Sequence, residues 1–481
     1  MHPLERMARE RPAHPALRQG SRSISRSELH RMASALAAVL REAYALTPAT
    51  RVATLLPRDI DHAIVLHALL LAGATVLPLN ARLPHDTLRG QLLRCDVRLL
   101  IHGGEHSDLL AGRTLSWSAL REHMHGPARP LPTFTAPDND ATLSMLFTSG
   151  STGAAKAVPH TWGMHRASAE ASRLNMGGDA HDAWLCPIPL HHIGGLAILV
   201  RCLLYGATMV LPDTESTTDM MDELRNGITL VSLVPTQLYR LLRDHPDLVS
   251  TELPALRAIL LGGAAASPML WGEVARRGLP VIGSYGMTET CSQIVAAPLG
   301  RAREFHGSAG VPLHGVTVRI HRDDGTLADP GEVGEIHVAG PMVMSGYVDD
   351  DERNARCFER GLFRTGDIGV LDDRGALTVL SRREDLLISG GENVYPQEVE
   401  HVLVEHPDVR DAVVLGVDDE EWGQRIAAVL ECVTLDEASL RQWCRERLPA
   451  YSVPVLWRRV EALPRTASGK IDRAAARALV R

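Results

Sequence analysis

Lysine is almost missing from this chain: Lys156 and Lys470 are the only two among 481 residues, although lysine and arginine together number 50. A preference for arginine codons accounts for arginine at ordinary surface positions. It does not account for lysine at these two, where a compact ammonium differs most from a planar guanidinium in a crowded site. From the count alone, chance reads the same. A basic excess is missing as well. The formal net charge of -8 gives no general pull toward nucleic acid or an anionic membrane, so any phosphate binding must come from local features. The seven cysteines are scattered and none forms a CxxC pair, which argues against a disulfide framework or a structural zinc site and points to reduced thiols in a cytoplasm. No uninterrupted apolar run is long enough to span a bilayer. The most apolar stretch, Ala63 to Leu79, is broken by His67, Gly73 and Pro78, and reads as a buried helix followed by a strand. The N-terminus carries charges throughout and has no apolar core of a secretory signal. Two nucleotide signatures are also lacking: there is no GxG for a dinucleotide fold and no GxxxxGK[ST] loop.

What is present is an α/β texture. The length exceeds what one hydrophobic core serves, so two or more domains are expected. From Ser25 to about Leu211, helical apolar patterns alternate with β-rich runs such as RVATLLP and ATVLPLN; the rhythm returns at LRAILLGG and LPVIGSYG. From about 307 to 380 glycine and β-branched residues dominate and predict a β-rich subdomain. Helical patterns resume after SRREDLLISGG. The expected fold is therefore α/β: a large N-terminal domain of stacked α/β layers over 1–381 that includes the β-rich part, and a small mobile α+β domain over 386–481, about one hundred residues. The stretch SRRED, whose last four residues are 382–385, reads as the hinge or as a plain surface turn.

Four segments carry candidate chemistry. LFTSGSTGAAKAV, from Leu146 to Val158, places six small or hydroxyl residues, Thr148 to Gly153, between a β-like run and Lys156. Glycines let successive backbone N–H groups turn toward one anion and hydroxyls add donors, as a triphosphate requires; a flexible turn has the same composition. SYGMTET, from Ser284 to Thr290, follows an apolar run, so Tyr285 offers a flat surface and Thr288 and Glu289 stand at a strand's carboxyl end, where a carboxylate can hold Mg²⁺ on phosphates. A solvated turn with an acid in its first residues is the plain alternative. GLFRTGDIGVLDDRG holds Asp367 in a Thr–Gly turn, suited to two ribose hydroxyls or to no ligand at all. LPRTASGKIDR carries Lys470 in a C-terminal loop.

In this order, with both lysines inside them, the segments resemble the adenylate-forming superfamily of acyl-CoA synthetases, nonribosomal-peptide adenylation domains and luciferases, over nearly the whole chain. The resemblance implies that Thr148, Ser149, Gly150, Ser151, Thr152 and Gly153 grip the phosphates of ATP with Lys156 beside them. The family's usual Pro and Gly around this lysine are Ala155 and Ala157 here. It also implies Tyr285 and Gly286 against adenine, Gly263 in the wall between adenine and acyl group, Thr288 near the α-phosphate, and Glu289 with Thr152 on Mg²⁺. Asp367 and Arg382 match ribose contacts, and Glu384 falls at the hinge, where Asp or Lys is more usual. Lys470 matches the lysine that contacts the reacting carboxylate and α-phosphate, then withdraws as the C-terminal domain rotates and the SGGEN loop, with Gly390 and Gly391, lines a channel for coenzyme A. Catalytic roles thus fall on Lys470, His192 and Glu289; the implied cofactors are ATP, Mg²⁺ and coenzyme A, and the implied partner is a small-molecule carboxylic acid. Oligomeric state is left open.

PLHHIGGLAILVRCLLYG bears on the acid. His192 matches the gate beside the acyl pocket. Arg201 lies in an apolar helical run, and a buried arginine needs an anion: a second substrate carboxylate, or a nearby Asp or Glu in a structural ion pair. With Ser292 and Gln293 following the acidic motif, the segment looks most like the branch of the superfamily that activates 2-succinylbenzoate in menaquinone synthesis. The rival expectations are a CoA ligase for another aryl or medium-chain acid, an enzyme loading a carrier protein, and a nonenzymatic nucleotide-binding regulator.

Overall fold

Strands buried at every residue, such as Thr75–Pro78, Leu99–His102, Leu230–Leu233 and Ala258–Leu261, explain the continuous apolar runs in the sequence, because a strand covered on both faces has no polar side. In the computed structural model of the protein, these strands lie in two largely parallel sheets. The description covers all residues except 105, 111, 126–136, 149–155, 383–384, 390–391, 420–421, 466–470 and 481. Two compact units emerge: Met1–Ala264 with Glu273–Thr317 and Val338–Phe363, and Ala265–Gly272 with Val318–His337 and Arg364–Arg481.

The first unit holds a nine-stranded and a six-stranded sheet. In the larger, Ala183–Leu185, Leu230–Leu233, Ala258–Leu261 and Val281–Met287 run parallel side by side, and Val281–Met287 then pairs antiparallel with Ser292–Ala296. In the smaller, Arg51–Leu55, Thr75–Pro78, Leu99–His102 and Thr142–Thr148 are parallel neighbours, and Thr142–Thr148 turns back antiparallel on Lys156–Thr161. Helix Ile60–Ala72 starts where the Asp59 side chain accepts the His62 N–H and stops at Gly73 with φ 78°, a position glycine adopts without strain. It is buried from His62 to Ala72, so Ala63 to Leu79 is this helix and the following strand. Among the described residues no helix is long and apolar enough to cross a membrane. All seven cysteines are free thiols. Every ion pair recorded among the described residues uses arginine or histidine as its cation.

In the second unit, Asp367–Leu371 of strand Leu362–Leu371 pairs antiparallel with Leu377–Arg382. A further five-stranded sheet is centred on Val409–Asp419 and Gly423–Cys432. Period-two alternation sends Ala412 and Val414 toward Val399, Leu403, Leu440 and Cys444 of helices Pro396–Val404 and Glu437–Arg445, and Val413 and Leu415 toward Leu463 and Ala476 on the other face. Arg465 and Ile471 form an isolated antiparallel bridge, and Arg473 donates to Glu400 at 2.6 Å and to the Val414 carbonyl at 2.8 Å.

Gly310, at φ 99°, has so close a neighbour that an added Cβ would lie 2.1 Å from the Ala296 carbonyl carbon. Gly310→Ala should cost roughly 2–4 kcal/mol, against a negligible change for Gly300→Ala, whose surroundings are open. Thermal melts of the two variants check this.

Candidate active site

The hairpin that joins Val281–Met287 to Ser292–Ala296 organises the site. Its ladder pairs Gly286 with Gln293 and Met287 with Ser292 after a bulge at Tyr285. A Cβ on Gly286 would sit 2.1 Å from the Ser292 carbonyl oxygen, so glycine is demanded here by the ladder itself. Between the strands, Thr288–Thr290 forms one 3₁₀ turn, and Cys291 and Ser292 follow at φ 50° and 94°. Two consecutive non-glycine residues in the left-handed region are unusual, and such strain persists only where the surroundings fix it. The Thr290 hydroxyl supplies part of that fixing: it accepts the Met287 N–H at 2.9 Å and donates to the Ser292 carbonyl at 2.8 Å.

Glu289 leads away from this turn. One carboxylate oxygen accepts the Tyr347 hydroxyl at 2.8 Å, and its main-chain carbonyl accepts the Met344 N–H at 2.8 Å. Burial, and then the neighbouring Glu289 charge, push the Tyr347 phenol far above its ordinary range, so it stays a donor. The Lys156 ammonium lies over the same ring, 5.3 Å from its centre. Lys156 faces Thr148 across the antiparallel ladder, so the segment between them is bounded by two paired positions. A carboxylate with one oxygen held by Tyr347 and the second still available as a hard donor fits Mg²⁺, which takes one or two protein carboxylates and completes its shell with phosphate and water oxygens.

Arg201, in helix Ile193–Tyr205, is 2% exposed. Its guanidinium donates to Gln293 Oε1 at 3.4 Å and Ser168 Oγ at 3.3 Å, and packs 5.6 Å from the Trp184 ring. Its Nε–H has no partner, and no carboxylate pairs with it among the described residues. The structural ion pair considered as one explanation of Arg201 is therefore not found among the described residues. Burial pulls its pKa down, the direction expected of a cation lacking a counter-charge. Ser168 in turn donates to the Cys291 carbonyl at 2.9 Å, and Gln293 donates to Ser172 at 3.4 Å, which ties Arg201 to the strained turn.

The remaining candidates fall into place as follows. His192 stands at the N-cap position of the Arg201 helix without a side-chain capping bond, its ring 4.4 Å from that of His191. Gly263 is exposed just beyond strand Ala258–Leu261, next to Val281–Met287, on which Tyr285 is 9% exposed. Thr288 opens the 3₁₀ turn, and Ser292, though beside Gln293, has no recorded contact with Arg201. In the second unit Asp367 and Arg382 are cross-strand partners joined by a 3.4 Å ion pair. Ser149, Gly150, Ser151, Thr152, Gly153, Glu384, Gly390, Gly391 and Lys470 lie outside the described residues. Sequence reading missed Tyr347, Ser168 and His160, whose Nε2 lies 2.7 Å from the Thr288 carbonyl oxygen. Tyr347 stands in an unremarkable SGY, and only a contact across 58 residues of chain reveals it.

Residues 4–348 match the profile of the AMP-binding enzyme family, and residues 398–470 match that of the AMP-binding enzyme C-terminal domain. The chain belongs to the AMP-binding enzyme family. Among its relatives is a 2-succinylbenzoate–CoA ligase of Bacillus licheniformis, 38% identical over 480 residues and covering 98% of both chains. The o-succinylbenzoate CoA synthetase of Bacillus subtilis in complex with its acyl-adenylate intermediate superposes with a TM-score of 0.92 at 36% identity, over 99% of this chain and 97% of that one. The same Bacillus subtilis enzyme with ATP and magnesium ion gives 0.88 at 36% identity over 98% of each chain. The α/β architecture is shared with these structures.

A buried cation with no counter-charge is a burden on the free protein. Arg201→Met should therefore leave the Tm unchanged or raise it, whereas an arginine held in a structural network would lose roughly 3–5 kcal/mol on removal; differential scanning calorimetry separates the two.

Proposed function

We propose that the protein is a 2-succinylbenzoate–CoA ligase of menaquinone synthesis, acting in the cytoplasm, where its seven free thiols would stay reduced. The observation that carries this reading is Arg201: a guanidinium 2% exposed, with an unpartnered Nε–H and no carboxylate among the described residues. The second carboxylate of a dicarboxylic acid supplies the missing charge, with Gln293 beside it. The likeness to curated and solved enzymes acting on the same acid supports it.

In the first step a carboxylate oxygen attacks the α-phosphorus of ATP, the bond to the bridging oxygen breaks, and pyrophosphate leaves an acyl-adenylate. Like charges must approach, so cations do most of the work. Lys470 offsets the charge on the carboxylate and α-phosphate. Lys156 and the loop from Thr148 to Gly153 hold the outgoing phosphates. Glu289, with Thr152, would hold Mg²⁺, which supplies further charge neutralisation. Tyr285, Gly286 and Gly263 border the adenine, Thr288 the α-phosphate, and Asp367 with Arg382 the ribose hydroxyls. In the second step the thiolate of coenzyme A attacks the acyl carbonyl and AMP departs, with His192 at the gate. For that step Lys470 withdraws as the domain over 386–481 turns on the 382–385 hinge, Glu384 included, and the thiol enters past Gly390 and Gly391.

Coupled assays with single acids test the substrate: a CoA thioester from 2-succinylbenzoate is expected, and one from benzoate or a fatty acid but not from 2-succinylbenzoate would remove the reading. Arg201→Ala should lower kcat/KM for the dicarboxylate by about 10²-fold or more and for a monocarboxylate analogue far less; unchanged selectivity would make Arg201 structural. Lys470→Ala should lose about 10²–10³ in adenylation while thioester formation from supplied acyl-adenylate is nearly kept, which pyrophosphate exchange and single-turnover thioesterification measure separately.

A further inference from the structure

Behind the Thr288–Glu289 turn runs a chain of three buried polar groups with no place in the reaction as described. His160 Nε2 lies 2.7 Å from the Thr288 carbonyl oxygen, its Nδ1 lies 3.2 Å from Ser144 Oγ, and Ser144 Oγ lies 3.0 Å from His165 Nε2. His160 and Ser144 are fully buried and His165 is 2% exposed. Counting protons leaves one consistent arrangement. A carbonyl only accepts, so His160 carries its hydrogen on Nε2 and presents a bare Nδ1. That nitrogen accepts the Ser144 hydroxyl, and the Ser144 oxygen accepts Nε2–H of His165. Burial keeps both imidazoles neutral, with His160 pulled down to about 4, so each serves as one donor and one acceptor.

We propose that His160 is a positioning residue for the Glu289 carboxylate, with Ser144 and His165 fixing its tautomer. The lever is the peptide plane. The Thr288 carbonyl and the Glu289 N–H belong to one planar unit, so a hydrogen bond to that oxygen sets the rotation of the plane entering Glu289. The plane leaving Glu289 is set in the same way by the Met344 N–H on the Glu289 carbonyl, at 2.8 Å. With both planes fixed, the direction of the Glu289 side chain follows, and the Tyr347 hydroxyl completes it at 2.8 Å. The polar chain sits in a low-dielectric interior, where a satisfied network is rigid and a broken one is costly. The inference rests on the reading of Glu289 as the residue that faces Mg²⁺ and ATP.

The test uses full-length His160→Ala, His160→Gln, Ser144→Ala and Glu289→Gln enzymes. It reads 2-succinylbenzoate-dependent ATP–pyrophosphate exchange across a Mg²⁺ titration, and thioester formation from supplied acyl-adenylate. His160→Ala should lower exchange by roughly ten- to a hundredfold and move the Mg²⁺ midpoint upward, with the thioester step within about twofold. His160→Gln, whose amide N–H can reach the Thr288 carbonyl, should recover most of the loss. Ser144→Ala should shift the midpoint in the same direction by less, and it decides the matter if His160→Ala does not fold. Equal loss in both half-reactions with an unmoved Mg²⁺ midpoint would overturn the proposal, since a purely structural histidine predicts that. Glu289→Gln separates the two ideas. A midpoint moved by Glu289→Gln but by neither His160→Ala nor Ser144→Ala sinks the positioning role alone, and a midpoint unmoved by Glu289→Gln sinks the Mg²⁺ assignment and the positioning role together.

Discussion

Arg201 is buried in an apolar helix with two weak neutral acceptors and no opposite charge among the described residues, and most of what is distinctive in the first unit arranges itself around that fact. An arginine cannot escape by giving up its proton, so its desolvation persists until an anion arrives. The cost is carried by the packing of a large parallel core. On the proposed function, what is gained is selectivity, because a site built around an unpaired charge penalises any ligand that leaves it unpaired.

The neighbours of Arg201 connect it to the Thr288–Thr290 turn. Ser168 links it to the Cys291 carbonyl and Gln293 lies on the strand that leaves the same turn. Thr288 and Glu289 begin that turn, held from behind by His160 and in front by Tyr347. A strained backbone segment, with Cys291 and Ser292 both at positive φ, thus separates the candidate acid pocket from the candidate metal ligand. Strain of this kind marks a conformation imposed by its surroundings, and here the Ser168 hydroxyl on the Cys291 carbonyl and the Thr290 hydroxyl on the Ser292 carbonyl hold it directly.

Much of the architecture was legible in the sequence because burial on both faces writes continuous apolar runs, as in LRAILLGG, and because Gly73 and Asp59 announce the ends of a helix. The Ala63 to Leu79 stretch showed its true nature through His67, Gly73 and Pro78. Segment order conveyed the family, since the hydroxyl-rich loop, the acidic turn and the C-terminal lysine are each short and local. Partnerships were not legible. Tyr347 reaches Glu289 and His160 reaches Thr288 across 58 and 128 residues, and nothing local marks either residue as a partner. Gly286 also looked like a nucleotide-facing glycine, while the ladder with Ser292 and Gln293 already forbids any side chain there. The unmet charge of Arg201 could be posed as a question from its apolar setting but answered only by seeing which groups surround it.

The near-absence of lysine has a chemical consequence beyond the two that remain. An acyl-adenylate is a mixed anhydride, and a primary amine opens it irreversibly to an amide. On this protein almost every surface cation is a guanidinium, permanently protonated and without a free amine lone pair, so an acyl-adenylate released by the proposed reaction meets a surface that does not consume it.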